Sequence, residues 1–449
     1  MEIKKIGVLE KLGHGAFSVS CNIVIQFVVT FILFFYTDVF GIAPAAAGMI
    51  LAIGMIWDGI TDPIVANISD NRRFKNGDRV RPFMKYVCGP LTLITIVMFT
   101  PISLSPVASI LYCLAIYLMY DTLTTLLRLP SYALPALITS NQRDRLSVNT
   151  YISGGATLGA VLASVLCWPL VRMFSGLDAA GNLLNPQRGF PMTAAVIGLF
   201  IISGSLLCYF TSRERVLPKQ AEEKLSLLRS FKLTASDVNF RWNTAFSTLY
   251  FINNSLLTTT LIYYCTYVYN DPGLVTIVMA IFAIGSVLAL PVIKKLDRRI
   301  GRRRAMMLGA LLIIVSKIPF VAFPFSVTAM YINAFIMGLS VALNIVTFSV
   351  TRAEVADHIE YVHHRRIDSM VVNFMGLANK CGTALTILAI GLALQFSGYQ
   401  AHLSVQPQAV TTSLIVIIGW APILLSGVML FCASKISIEA VVSKMKAGT

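Results

Sequence analysis

Residues 14–36 read HGAFSVSCNIVIQFVVTFILFFY, a stretch without one Asp, Glu, Lys or Arg. Coiled at about 1.5 Å per residue it matches the hydrocarbon thickness of a bilayer, and it is much longer than a strand. Comparable stretches recur at 43–68, 83–103, 106–128, 149–172, 190–211, 243–269, 273–293, 305–323, 326–349, 369–396 and 411–434, which predicts twelve spans. Hydrocarbon offers no partner for backbone N–H and C=O groups. Runs of this length satisfy them only as helices, so a β-barrel is excluded and the expected fold class is all-α, integral to the membrane. Composition agrees: of 449 residues 56% are hydrophobic and 13% charged, with a mean hydropathy of +0.74, far from a soluble domain.

The net charge of +15 does not point to nucleic acid, because Lys and Arg stand between the apolar runs and not in a basic stripe interleaved with aromatics. They set topology instead. One alternate set of loops holds Arg72, Arg73, Lys75, Arg79 and Arg81, then Arg143 and Arg145, then Arg213, Arg215 and Lys219, then the run from Lys294 to Arg304, then Arg365 and Arg366. The other set has Arg172 and Arg188 as its basic residues. The positive-inside rule then puts both termini in the cytoplasm, and an even number of spans agrees; the location expected is the cell's inner membrane. Lys4, Lys5 and Lys11 precede the first run without a small-residue cleavage site, so that run reads as a retained helix. The eight cysteines lie singly in or beside apolar stretches, without a CxxC pair, and read as small buried hydrophobes.

The longest polar interval, 212–242, divides the spans six and six. The organisation expected is a bundle of six helices over 1–211, a cytoplasmic linker over 212–242, and a second bundle of six over 243–449 with a short cytoplasmic tail. Acidic, basic and glycine residues recur after the second helix of each half, in Ser69-Asp70-Asn71-Arg72-Arg73 with Gly77-Asp78-Arg79, and in Asp297-Arg298-Arg299-Ile300-Gly301-Arg302-Arg303-Arg304. The shared Asp and Gly suggest a duplicated unit, the major facilitator plan of two bundles around a midplane site. Two ordinary positive-inside loops are the alternative.

Charges inside spans carry the most information, since each costs several kcal/mol at the bilayer centre unless it meets a polar cavity or a partner. Asp58 and Asp62 are four apart, on one helix face, with Thr61 beside them. Two such carboxylates repel unless a shared proton or a bound cation holds them, which reads as an H⁺ or Na⁺ site; a pair of salt-bridged structural acids is the alternative. Asp121 and Arg128 lie two turns apart in the fourth span, with Thr124 and Thr125 between. Arg128 keeps its proton, so it either neutralises an acid or contacts an anionic or hydroxyl-rich solute. Lys380, midway into the eleventh span, is expected to face a cavity, whereas Lys317 is expected to reach water from the outer end of the ninth. Asn22, Asn253, Asn254, Tyr132, Tyr263, Tyr264 and Phe348 are amides and aromatics suited to line a sugar cavity.

The second span reads Ile56-Trp57-Asp58-Gly59-Ile60-Thr61-Asp62-Pro63, after Tyr36-Thr37-Asp38-Val39 and before Arg81-Pro82-Phe83. With Leu129-Pro130, Arg143-Asp144-Arg145, Ala356-Asp357-His358-Ile359-Glu360-Tyr361 and Asn379-Lys380-Cys381-Gly382, this resembles the glycoside-pentoside-hexuronide:cation symporter family over nearly the whole chain. The resemblance implies that Asp58 and Asp62 are coupling-cation carboxylates, with Thr61 and Thr125 at neighbouring cation-site positions and Lys380 as a cavity lysine. It puts Tyr132 and Phe348 where the family's melibiose-transporting type member has sugar-site tryptophans. Asn22 and Arg128 stand where that member has sugar-binding carboxylates, and Ser153 where it has an arginine, so melibiose itself is a poor fit. The exchange makes the cavity more positive, which suits an acidic sugar such as a hexuronide or another anion. Thr61 in place of an asparagine leaves Na⁺ against H⁺ open.

The function expected is symport of a small sugar-like solute, a sugar or sugar acid, coupled to Na⁺ or H⁺ by alternating access. No other cofactor and no partner besides solute and bilayer are expected, and the chain is expected to work as a monomer. The alternatives are a major facilitator transporter of a non-sugar organic solute and a membrane enzyme. An enzyme needs a nucleophile, base or metal set, and His14, His358, His363, His364 and His402 lack partners at metal-site spacing. A channel has no need of paired carboxylates in one half and a lysine in the other. The topology is checked by labelling: a cysteine at Asn182→Cys is expected to react with an impermeant thiol reagent added from outside, and one at Gln220→Cys is not. The reverse pattern overturns the orientation.

Overall fold

The computed structural model describes residues 6–71, 74, 77–139, 141–177, 183–215, 227–363, 368–401, 403 and 405–437. Among these residues the regular structure is helical, apart from one isolated bridge between Leu177 and Leu183. The chain runs through α1 (Val8–Phe34), prolonged by a π-helical turn (Phe35–Val39), α2 (Pro44–Asn71), α3 (Arg81–Met98), α4 (Pro106–Ile138), α5 (Gln142–Ser175), α6 (Pro186–Thr211), α7 (Leu227–Ser236), α8 (Val238–Tyr267), α9 (Leu274–Ile300), α10 (Arg302–Ala322), α11 (Val327–His363) and α12 (Asp368–Phe396). It ends in one rod made of α13 (Gln408–Ile415), a second π turn (Val416–Trp420) and α14 (Ala421–Lys435).

Each of the twelve expected spans falls on one of these helices or on the final rod. Among the described residues, ten helices are long and apolar enough to cross a membrane. α3 and α8 are not among them: α3 has 18 residues that include Arg81 and Lys85, and α8 is rich in amides and hydroxyls. Several helices outrun their apolar stretch, α4 to Ile138 and α11 to His363. A helix bonds its own backbone whatever its side chains meet, and in α4 it continues through Pro130 and Pro135.

The helices gather into two compact units, Met1–Ala221 with Asp271–Thr276, and Glu222–Asn270 with Ile277–Thr449. The interval 212–242 holds α7 and the start of α8. Phe231 of α7 packs edge-on to Phe374 of α12, with ring centres 5.1 Å apart. Asp237 caps α8 by accepting the Phe240 N–H at 2.8 Å, and its other oxygen meets His358 Nδ1 at 2.6 Å.

In the first unit α1 is the central strut. α5 closes on it through Gly155 and Gly159, where a Cβ would collide with the carbonyls of Gly15 and Val19. At one end Phe27, Phe31, Phe35, Phe99, Phe190 and Trp168 form an aromatic cluster, with Phe31 stacked on Trp168 at 5.5 Å and Phe99 on Phe190 at 5.8 Å. At the other end, three residues just after α6, Ser212, Glu214 and Arg215, tie four helices together. Ser212 meets His14 of α1 at 3.1 Å, and Arg215 pairs with Glu10 of α1 at 3.0 Å. The Arg215 N–H donates to Leu137 O of α4 at 2.8 Å. The Glu214 carboxylate accepts the N–H groups of Arg79, Val80 and Arg81, each at 2.8 Å, at the start of α3. An anion is favoured there because the first N–H groups of a helix have no intrahelical acceptor. Arg81 returns the contact, donating to Ser212 O at 2.8 Å and pairing with Asp78 at 2.9 Å.

In the second unit, Arg302 is held by Asp297 at 2.9 Å and by Glu354 of α11 at 3.0 Å. Gly301, at φ +81, makes the turn from α9 into α10, a left-handed conformation that favours glycine. Asn239 near the start of α8 accepts the Ser437 N–H at 2.8 Å. It thereby ties α8 to the segment after the final rod, as Glu10 ties α1 to the segment after α6. Two expectations are corrected here. Lys317 does not reach water: it is fully buried, and its Nζ donates to Asn333 Oδ1 of α11 at 3.0 Å, so a neighbouring amide replaces the solvent. Tyr263, Tyr264 and Asn253 do not line a cavity either. All three are buried, with Tyr264 donating to Pro324 O at 2.7 Å and Asn253 to Leu249 O at 3.1 Å, because packing between helices claims them first.

Glu214→Ala removes the acceptor for three N–H groups at the head of α3. An unmet buried donor costs about 1–3 kcal/mol, so the purified protein is expected to unfold several degrees lower in detergent, with Glu214→Gln losing less. An unchanged unfolding temperature for both variants would show that water replaces the carboxylate.

Candidate functional site

The carboxylates lie in the second half of α2, packed on α4. Gly54 admits the ring of Tyr117, which a Cβ there would strike, and so brings α4 against α2 one turn before Asp58. Two side-chain bonds then join the helices. Thr125 Oγ1 donates to Asp58 Oδ1 at 2.9 Å, and Trp57 Nε1 donates to Thr122 Oγ1 at 2.9 Å. Thr122 and Thr125 are three apart on α4, which puts both on the face that meets α2. Thr61 is buried and turns its hydroxyl to the Asp58 carbonyl of its own helix, at 3.3 Å. Asp58 is half-buried and Asp62 exposed.

Of the expected cation-site residues the first unit thus brings Asp58, Thr61 and Thr125 together, with Asp62 one turn on. A carboxylate with one hydroxyl at hydrogen-bond distance and a second hydroxyl on the backbone carbonyl of the same residue gathers oxygens of the kind that suit a hard monovalent cation or a proton. Sequence reasoning does not single out the Trp57–Thr122 bond. Its signal is the hydroxyl at 122, three residues before Thr125.

Arg128, one turn beyond Thr125, is half-buried. Its Nη2 donates to Tyr132 Oη at 2.5 Å, and the guanidinium carbon lies 5.6 Å from the centre of the same ring. The two residues expected to contact solute from α4 are therefore one unit, a cation set by a phenol. Arg128 also borders a small void with Cys21 and Thr124, next to Asn22 on α1. Asn22 donates to Ser18 O at 2.9 Å, within its own helix.

In the second unit Phe348 is buried against Tyr250 at 5.5 Å and Phe251 at 6.1 Å. Its carbonyl accepts from Asn243 at 3.2 Å. Lys380 is half-buried on α12. The preceding Asn379 Oδ1 lies 2.9 Å from Ser247 Oγ and 3.0 Å from Thr248 Oγ1, which seats α12 on α8; this cluster too escapes a reading of the sequence. Among the described residues no group of three or more His, Cys, Asp and Glu could hold a metal ion. His14 and His358 are occupied by Ser212 and Asp237. The side chains of His363, His364 and His402 lie outside the described residues.

Comparison with known proteins supports a transporter. Residues 13–440 match the family of MFS/sugar transport proteins. The chain is 28% identical over 424 residues to the uncharacterized symporter YnaJ of Bacillus subtilis (strain 168), covering 92% of this chain and 88% of that one. It is 23% identical over 442 residues to the isoprimeverose transporter of Lactiplantibacillus pentosus, covering 98% and 90%. Among solved structures, the nucleoside transporter NupG shares the fold, with a TM-score of 0.64 at 16% identity over 95% of this chain and 99% of that one.

Proposed function

The chain belongs to the family of MFS/sugar transport proteins, and on that premise we propose that it is a symporter that imports a sugar or sugar acid together with Na⁺ or H⁺. It is a multi-pass membrane transporter and not an enzyme. The observation that carries the coupling proposal is the Asp58 carboxylate held by Thr125 at 2.9 Å, with Thr61 in the same turn and Asp62 in the next. A fixed charge at that depth is costly unless a cation or proton meets it during the cycle. Asp58, Thr61, Asp62 and Thr125 are the proposed cation ligands.

Asn22, Arg128 and Tyr132 are the proposed solute contacts of the first unit, and Phe348 and Lys380 those of the second. The isoprimeverose transporter among the relatives supports a glycoside-sized solute. Arg128 and Lys380 supply cationic donors, which favours a solute that carries an anionic group. The Tyr132 hydroxyl satisfies one Arg128 nitrogen, and a guanidinium has five N–H donors in all.

Two measurements test the reading. In proteoliposomes, Asp58→Asn and Asp62→Asn are each expected to abolish accumulation against an imposed Na⁺ or H⁺ gradient while the protein remains in the membrane. Full accumulation by both variants removes the coupling role. In competition, a uronide is expected to inhibit uptake about tenfold more strongly than its neutral parent sugar, since a charge-assisted contact contributes about 1.5–3 kcal/mol. Arg128→Gln is expected to erase that preference. Equal inhibition in the unaltered protein would assign Arg128 to structure, and inhibition by neither compound would favour a non-sugar organic solute.

A further inference from the structure

We propose that the first unit binds an anionic phospholipid, with an acyl chain in a groove between α1, α5 and α6 and its phosphate at Lys11 and Arg213. A cavity of about 740 Å³ lies there, with Leu12, Val19, Gly154, Leu158, Phe200 and Leu207 among its walls. Its floor is closed by glycine contacts. α5 meets α1 at Gly155, and α6 meets it at Gly204, where a Cβ would strike the Ser20 hydroxyl. Above that floor Leu12, Leu158, Phe200 and Leu207 stand exposed. A Cβ at Gly154 would meet nothing within 4 Å, so the gap persists on the α5 side. All of these residues lie within Val8–Val39, Asp144–Ser175 and Pro186–Thr211, stretches long and apolar enough to cross a membrane, and with no charged side chain among the walls the groove suits lipid hydrocarbon better than water.

Charge at one end of the groove selects the occupant. Lys11 precedes Leu12 in the first turns of α1, and exposed Arg213 follows two residues after α6 ends at Thr211. Neither forms an ion pair with another described residue, whereas the acids at the same end are committed, Glu10 to Arg215 and Glu214 to the head of α3. Asp144 lies on α5 seven residues before Tyr151, about 10 Å along the helix. An apolar groove flanked in the chain by two cations that pair with no described residue, Lys11 next to Leu12 and Arg213 just after α6, fits a molecule with a hydrocarbon tail and an anionic head. A second copy of this chain would bring the same two cations to that end and be repelled.

Delipidated full-length protein in detergent, titrated with phosphatidylglycerol, phosphatidylcholine or glycerol 3-phosphate and read by native mass spectrometry, tests this. One phosphatidylglycerol is expected to be retained at about tenfold lower concentration than phosphatidylcholine, and glycerol 3-phosphate, which lacks the chain, is expected not to compete. The double variant Lys11→Gln, Arg213→Gln is expected to lose the preference between the two lipids; it alters charge without touching packing. Gly154→Leu, which fills the groove, is expected to weaken both lipids, whereas Gly427→Leu, at another glycine with open space around it, is expected to change neither. Retention unaltered in both groove variants overturns the proposal. So does competition by glycerol 3-phosphate equal to that of the lipid, or a dimer that Gly154→Leu dissociates.

Discussion

A charge or an open hydrogen-bonding group in hydrocarbon must find a partner within the protein, and this constraint organises the molecule. It makes every long apolar run a helix. It also decides which polar residues inside the spans carry information. Asp58 is met by Thr125, Lys317 by Asn333 and Arg128 by Tyr132. These three pairings differ in burial. Lys317 is fully enclosed, which gives it a structural part. Asp58 and Arg128 are half-buried, so part of each side chain lies outside the packed interior.

The same constraint acts at the helix ends, where the first N–H groups lack acceptors. The first unit answers it with residues 212–215, whose side chains and backbone reach α1, α3 and α4 from the end of α6. The second unit uses scattered pairs instead: Asp297 and Glu354 on Arg302, Asp237 on His358 and Asn239 on Ser437. In each unit a residue near the start of one helix meets the segment that follows the last: Glu10 pairs with Arg215 as an ion pair, and Asn239 accepts from Ser437 as a neutral hydrogen bond.

Much of this is legible in the sequence because it rests on local chemistry. The spans follow from length and hydropathy, and the i,i+4 spacing of Asp58 and Asp62 places them on one face of α2 without any tertiary knowledge. Thr125 is reached through the resemblance, and the structure puts its hydroxyl on Asp58. The errors share one cause. Lys317, Tyr263, Tyr264 and Asn253 read as facing water or solute because a polar atom in a span needs a partner, yet a sequence does not say which helix stands opposite. α7 escapes for a related reason: ten residues of mixed polarity between spans look like linker until Phe231 is seen against Phe374.

α8 shows how far that ambiguity extends. Over 243–269 it reads as a span, yet its amides and hydroxyls leave it outside the ten helices apolar enough to cross a membrane, and several of them are taken up by neighbouring helices. Asn243 reaches the Phe348 carbonyl, Ser247 and Thr248 meet Asn379, and Asn253 contacts Met429 at 3.3 Å. Without a hydrophobic force to drive helices together in lipid, such contacts and close packing are what bind them. Polar content in a span therefore separates into glue and site only by exposure. By that measure the glue of the second unit includes Asn243, Ser247 and Asn253, all buried, while Lys380 beside Asn379 is half-buried, which is why it stands among the proposed solute contacts. The Asn379 bonds then take on a second meaning. By fixing α12 to α8 at the position just before Lys380, they hold the backbone from which that side chain extends, as Thr122 holds α2 at Trp57, just before Asp58, in the first unit.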